Sequence, residues 1–205
     1  RACYDALRDA EPLLVVDEIA TGFGRTATMF AFEQTTLHPD ILCVGKSLTG
    51  GALALSCALV RQRVYDAFLG DYGALVHFFH GHSFAGNPIA CAAALASLDL
   101  FDEESTLARA AGIARRCAKR LEGLRAHPLV RDARHAGAMI GIELRAEAIE
   151  AEAAPTAAWR IADALYAAGH FTRPIGDVLQ LVPPLSSTDR EIDAFFDALE
   201  SVLSS

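Results

Sequence analysis

The sequence predicts an α/β fold followed by a smaller α+β unit, and three observations predict it. Short apolar runs alternate with Gly-rich turns over the first hundred or so residues. A long Ala-rich helical stretch then begins, and after His127-Pro128 strand-like runs alternate with two helical patterns. Runs apolar on both faces are expected of strands in a mixed, mostly parallel sheet covered by helices on each side. The boundary is expected near residue 103, giving a first domain over 1–103 and a second over 104–205.

Each element follows from a local signal. Leu-Leu-Val-Val at 13–16 reads as a strand, Gly22-Phe-Gly24 as a turn, Ile-Leu-Cys-Val at 41–44 as a strand, Gly50-Gly51 as a turn, and residues 53–60 as a further strand. Asn87 is a helix N-cap, because its side-chain oxygen can accept the first unpaired amides, and Pro88 sits in the first turn, where a missing N–H costs nothing. Helical character continues to about residue 125, with a break near Asp102-Glu-Glu-Ser105. Residues 130–134 and 138–145 read as strands around a Gly137 turn, 155–168 as a helix, and 178–182 as a strand before Pro183-Pro184. The last helix, 188–203, opens with a capping box of Thr188 and Glu191. Residues 146–158 read as an Ala-rich loop running into a helix.

Composition narrows the function classes. With 205 residues, 52% of them hydrophobic, the chain can bury a sizeable core. A net charge of -8 argues against a nucleic-acid surface, which needs clustered Lys and Arg. The densest basic run, Arg115-Arg-Cys-Ala-Lys-Arg120, has helical spacing and reads as a solvated helix face. Five cysteines (Cys3, Cys43, Cys57, Cys91, Cys117) form no Cys-x-x-Cys pair and read as buried free thiols in a reducing cytoplasm. No His or Cys spacing suits zinc, no Gly-x-Ser-x-Gly elbow is present, and Gly22-Phe-Gly-Arg25 lacks the ending of a P-loop. No uncharged apolar stretch reaches the roughly 20 residues that span a bilayer. The chain opens on Arg1 and reaches a strand within a dozen residues, so it is expected to begin in mid-protein.

Two ionisable groups fall at strand ends, where ligands of open α/β sheets bind. Asp17 ends the first run, and Lys46 follows the second by one glycine. Alone, Asp17 reads as a turn or helix cap and Lys46 as a loop lysine. Together they suggest a different chemistry: near low-dielectric walls a lysine loses its proton more readily, and a neutral amine can attack a carbonyl to form a Schiff base. Pyridoxal phosphate uses such a lysine together with a carboxylate on its pyridinium nitrogen. Glu18, next to Asp17, is expected to point the opposite way and to bond backbone. Arg25 reads as a charge held near the site or a subunit interface. His38 and Asp40 fit a loop, with no catalytic role.

The segments Val16-Asp-Glu-Ile-Ala-Thr-Gly-Phe-Gly-Arg-Thr26, His38-Pro-Asp-Ile-Leu-Cys-Val-Gly-Lys46 and Leu48-Thr-Gly-Gly51 resemble the core of the class III aminotransferases, in which the Asp and Lys are likewise 29 residues apart. Within that family, His80-Gly-His-Ser-Phe-Ala-Gly-Asn-Pro88, Arg173-Pro174 and Pro183-Pro184 resemble the biotin-pathway branch. The resemblance implies a fold-type I pyridoxal-phosphate transferase, with part of a large cofactor-binding domain in 1–103 and the small domain in 104–205. It implies Lys46 as the Schiff-base lysine and proton shuttle, and Asp17 as partner of the pyridine nitrogen. His82 and Ser83 would contact the cofactor phosphate of the neighbouring subunit of a homodimer, with Gly81 against the substrate. Arg173, which Pro174 holds extended, would bind the substrate carboxylate; outside the resemblance it reads equally well as an exposed structural arginine. The polar pair His80 and His82 otherwise reads as a turn before a helix.

The implied reaction converts 8-amino-7-oxononanoate to 7,8-diaminononanoate, with S-adenosylmethionine as amine donor. His82-Ser83 stands where that branch most often has Pro-Thr, which leaves other donors open, such as lysine or an ω-amino acid. An aminomutase that moves the amine within one substrate is a further alternative. The phosphate loop and ring-stacking residues of the family precede Arg1, so residues 1–205 alone are expected to bind cofactor poorly and to be inactive.

Overall fold

The computed structural model describes residues 5–7, 10–149 and 156–204. Of the loop expected over 146–158, residues 150–155 lie outside them; its beginning, Ala146–Ala148, is one 3-10 turn, and its last two residues already belong to the helix Ala157–Ala167. The chain divides into two compact units, 1–23 with 28–105, and 24–27 with 106–205.

The first unit is built on a three-stranded sheet ordered β1-β2-β3, with β1 Val15–Asp17, β2 Ile41–Val44 and β3 Cys57–Val60. The sheet is mixed, parallel between β1 and β2 and antiparallel between β2 and β3. A short helix, α1 (Gln62–Asp66), follows β3, and the long α2 (Pro88–Glu103) starts as expected: Asn87 Oδ1 accepts the amides of Ile89 at 2.9 Å and Ala90 at 3.3 Å. Leu42 and Val44 bury one sheet face with Phe23, Leu48 and Ala94. Coverage on both faces is not what the described residues provide. Val15 is 55% exposed and Leu59 53%, because no helix of these residues lies against them.

At the other end of β2, Asp40 is buried and accepts the Leu14 amide at 2.9 Å and two Arg63 nitrogens at 2.9 and 2.7 Å. Those partners favour the charged form, the Leu14 amide most, and hold its carboxyl below the usual range.

The second unit is a four-stranded antiparallel sheet, order β4-β5-β7-β6, with helices on one face. Its elements are α3 (Thr106–Leu124), β4 (Val130–Ala136), β5 (Met139–Leu144), α4 (Ala157–Ala167), β6 (Arg173–Ile175), β7 (Val178–Leu181) and α5 (Asp189–Leu203). Alternation buries Ile140, Ile142 and Leu144 of β5. Helical spacing does the same for Ile113, Cys117, Leu121 and Leu124 of α3, and for Ile192, Phe195, Phe196, Leu199 and Leu203 of α5. The Thr188–Glu191 capping box is formed.

Two expectations need correction. The basic run of α3 is not simply solvated: Arg116 reaches Asp189 and Asp193, and Arg120 reaches Asp197 at 2.6 Å and Glu200 at 3.0 Å while stacking over Phe196. The four acids repeat at helical spacing along α5, so two arginines one turn apart on α3 can meet them. Nor are the thiols uniformly buried; Cys117 is, but Cys57 is exposed on β3, Cys43 and Cys91 are half-buried, and Cys3 lies outside the described residues. Among the described residues no helix is long and apolar enough to cross a membrane.

Candidate active site

The parallel pairing of β1 and β2 puts their carboxyl ends side by side. Val15 pairs with Ile41, Val16 with Leu42 and Asp17 with Cys43, three residues before Lys46. Asp17 and Lys46 thus leave the sheet at the same end, on strands that neighbour one another. Pleating sends Val16 into the buried cluster and Asp17 to the opposite face, where it is exposed. Its Oδ1 accepts the Ile19 amide at 2.9 Å, a turn that fixes the carboxylate at the strand end.

Glu18 points the other way, as alternation requires. It is buried, accepts the Phe32 amide at 2.8 Å and the Thr21 hydroxyl, and so holds the loop that follows β1.

Lys46 begins a 3-10 turn, Lys46–Thr49, that ends at Gly50 in the left-handed region. Its own φ is +42°, a conformation that side chains other than glycine rarely adopt. The Lys46 side chain is exposed, so the low-dielectric walls expected around it are not supplied by the described residues of this chain. The turn itself is well held. Leu48 N–H donates to Gly45 O at 3.0 Å, Gly50 N–H to Ser47 O at 3.0 Å, and the buried Thr49 hydroxyl to Leu53 O at 2.6 Å. Sequence reasoning assigned Thr49 no role, although it lies inside the Leu48-Thr-Gly-Gly51 segment that carried the resemblance.

Gly81, His82 and Ser83 sit in an exposed loop just before α2. His82 is spent locally: its Nδ1 accepts the Phe84 amide at 3.2 Å and its carbonyl accepts the Ala85 amide at 2.9 Å. A Cβ at Gly81 would meet nothing within 4 Å, so that position is open to an approaching group. Among the described residues neither His82 nor Ser83 bonds to Asp17 or Lys46.

Arg173 belongs to the second unit. It opens β6, pairs with Gln180 of β7 and is exposed, while Pro174 beside it is buried. It lines a cleft of about 460 Å³ together with His170, Phe171, Leu181, Pro183 and Phe195. The walls are largely apolar, with one guanidinium among them. Arg25, in the same unit, donates to Pro183 O, and burial lowers its pKa.

A family model, "Aminotransferase class-III", matches residues 5–203. The chain belongs to the class III aminotransferases. It is 40% identical over 193 residues to an adenosylmethionine-8-amino-7-oxononanoate aminotransferase of Aquifex aeolicus, covering 93% of this chain and 43% of that protein. It is 34% identical over 192 residues to an omega-aminotransferase of Caulobacter vibrioides, covering 93% and 43%. The crystal structure of adenosylmethionine-8-amino-7-oxononanoate aminotransferase from Methanocaldococcus jannaschii superposes with a TM-score of 0.85 at 38% identity, covering 96% of this chain and 48% of that one. The chain thus spans less than half the length of these relatives, and within that length this class III aminotransferase chain has the fold of a pyridoxal-phosphate transferase of fold type I.

Proposed function

We propose that the protein carrying this chain converts 8-amino-7-oxononanoate to 7,8-diaminononanoate, with S-adenosylmethionine as the amine donor. The observation that carries the chemistry is the parallel β1–β2 ladder, which brings a carboxylate and an amine to one end of a sheet. Pyridoxal phosphate fits that donor set. Lys46 offers the amine that would hold its aldehyde carbon, Asp17 the carboxylate for its ring nitrogen, and Ser83, with the amides of 82–83, donors for a phosphate of the neighbouring subunit. When bound, the cofactor supplies an electron-withdrawing ring that stabilises negative charge on the substrate carbon.

The chain's own groups do the rest. Asp17 would keep a proton on the ring nitrogen, since a neighbouring carboxylate favours the charged form. Lys46, as a free amine, would take the proton from the substrate carbon that bears the amino group and act as the shuttle that returns it. Arg173 orients the keto acid through its carboxylate, and Gly81, with no side chain, leaves room for it. In this reading the first unit is part of the large cofactor-binding domain and the second is the small domain. The protein is a cytoplasmic homodimer with shared sites, and residues 1–205 alone do not turn over. The names of the Aquifex and Methanocaldococcus relatives support the substrate.

His82-Ser83, where the biotin branch most often has Pro-Thr, favours a second reading: the same acceptor chemistry with lysine or an ω-amino acid as donor. Purified full-length protein, loaded with pyridoxal phosphate and given 8-amino-7-oxononanoate, would be offered each donor in turn and the diamine measured by mass spectrometry. Product with S-adenosylmethionine alone supports the first reading, and product with lysine alone the second. No diamine with any donor overturns both.

A further inference from the structure

The strained residue of the lysine turn is the lysine itself. Gly45 before it is extended, with φ of -176°, and Leu48 and Thr49 after it are buried, yet the exposed Lys46 holds a φ of +42°. A residue other than glycine keeps such a conformation only where its surroundings over-determine it. A glycine there would relieve the strain at the cost of the amine, so the direction in which the side chain leaves the backbone is what the strain retains. Two hydroxyls outside the lysine complete the constraint. Thr49 Oγ1, in a residue only 3% exposed, donates to Leu53 O at 2.6 Å and ties the exit of the turn to the chain that leads into β3. Ser97, in the middle of α2, points its Oγ at Ser47 O at 3.4 Å, the carbonyl that also accepts the Gly50 amide at 3.0 Å. The two hydroxyls bracket the turn, one from within it and one from the helix packed on it.

We propose that Thr49 and Ser97 are positioning residues for Lys46, holding its left-handed backbone so that the amine leaves the sheet toward the Asp17 end. This rests on the reading of Lys46 as the cofactor-holding lysine. Both hydroxyls bond to backbone carbonyls, Thr49 to Leu53 O and Ser97 to Ser47 O, and act through the backbone of residues 46–50. Removing them lets Lys46 relax to an ordinary φ and swings its Cα–Cβ bond away, and a displacement of this kind is what costs rate when a reacting group must be aligned within about 1 Å.

The test uses the full-length protein in five forms: wild type, Thr49→Val, Thr49→Ser, Ser97→Ala and Lys46→Ala. Cofactor-free protein is mixed with pyridoxal phosphate. The rate at which it is captured is followed by visible absorbance, and the attachment is trapped with borohydride and located by peptide mass. The pH at which the absorbance of the captured cofactor titrates, kcat, KM and Tm are measured beside it. We expect Thr49→Val to slow capture at Lys46 by about 10-fold, to shift the titration and to lower kcat by a similar factor with KM unchanged. Thr49→Ser, which keeps the donor, should recover most of each loss. Ser97→Ala should show the same pattern more weakly and keeps the question open to measurement if Thr49→Val does not fold. A change in Tm alone, with capture, titration and kcat unmoved, overturns the proposal, as does failure of Thr49→Ser to recover what Thr49→Val loses. If Lys46→Ala still captures cofactor at a single other lysine, the reading of Lys46 fails instead, a result separate from any behaviour of Thr49 or Ser97.

Discussion

Asp17 lies opposite Cys43 in the parallel β1–β2 ladder, so its carboxylate and the Lys46 amine emerge from one end of one sheet. The neighbouring Glu18 faces the interior and is spent on the Phe32 amide. Two adjacent carboxylates therefore have separable tasks. In the full-length protein, Asp17→Ala should lower kcat/KM by about 10²-fold or more, the scale of removing a preorganised electrostatic partner, with little change in Tm. Glu18→Ala, which leaves the Phe32 amide unpartnered, should instead cost about 1–3 kcal/mol of stability in a denaturant titration. Equal effects of the two on both measurements would contradict the assignment.

Asp40 gives a pH dependence with a definite sign. The Leu14 amide and Arg63 hold its folded pKa below that of the unfolded chain, about 3.9. Its contribution is therefore fully present above the unfolded value and is lost as the pH falls through the lower, folded one. At neutral pH, Asp40→Asn should be less stable than wild type by about 1–3 kcal/mol. Chemical denaturation at descending pH should show the gap narrowing below about pH 4. A gap that stays constant or widens in acid would refute the role.

Gly137 and Gly176 separate backbone strain from steric exclusion. Both have positive φ, +61° and +56°, but a Cβ on Gly137 would lie 2.4 Å from Thr26 backbone atoms, whereas one on Gly176 meets nothing within 4 Å. Gly176→Ala should cost roughly 1–2 kcal/mol for the left-handed backbone alone. Gly137→Ala should cost about 3 kcal/mol or more, because Thr26 must also move. Comparable losses of Tm in the two variants would mean that the 24–27 segment yields freely.

Cys117 has no exposed surface, and burial pushes its thiol up to about 11. A thiol that is both inaccessible and protonated at neutral pH should not react with a disulfide reagent in the folded protein. Mass spectrometry of labelled peptides should find Cys117 modified only in denaturant, at a rate that follows unfolding. Fast labelling in native buffer would contradict the packing of α3 against β4 and α5.

Much of the fold was legible because its signals are local. Asn87-Pro88, Thr188 with Glu191, and the Gly137 turn act on amides or dihedrals within a few residues, so reading them needed no knowledge of the rest of the chain. The positions of Asp17 and Lys46 at strand ends were legible for the same reason, and the class III motifs attached a chemistry to them. The acidic partners of Arg116 and Arg120 were not, since they lie more than seventy residues away on α5, and a charge run carries no record of what will face it. The exposed sheet faces were missed because an apolar run states what a strand can bury, not what is present to bury it.

By itself, then, the sequence determined the helix caps, the longer helices, the places of most strands though not of β6 or of α1, and which family the motifs resemble. Only the tertiary structure decided that β1 and β2 run parallel and adjacent, that Asp17 and Glu18 part to opposite faces with one bonded inward, and that Lys46 takes a left-handed backbone beside the hydrogen bonds of Thr49 to Leu53 and of Ser97 to Ser47. The physical reason is one of range. Capping, turn formation and helical periodicity are settled by neighbours in the chain, whereas strand direction, register and the backbone of a constrained turn are settled by contacts between segments that the chain brings together only on folding.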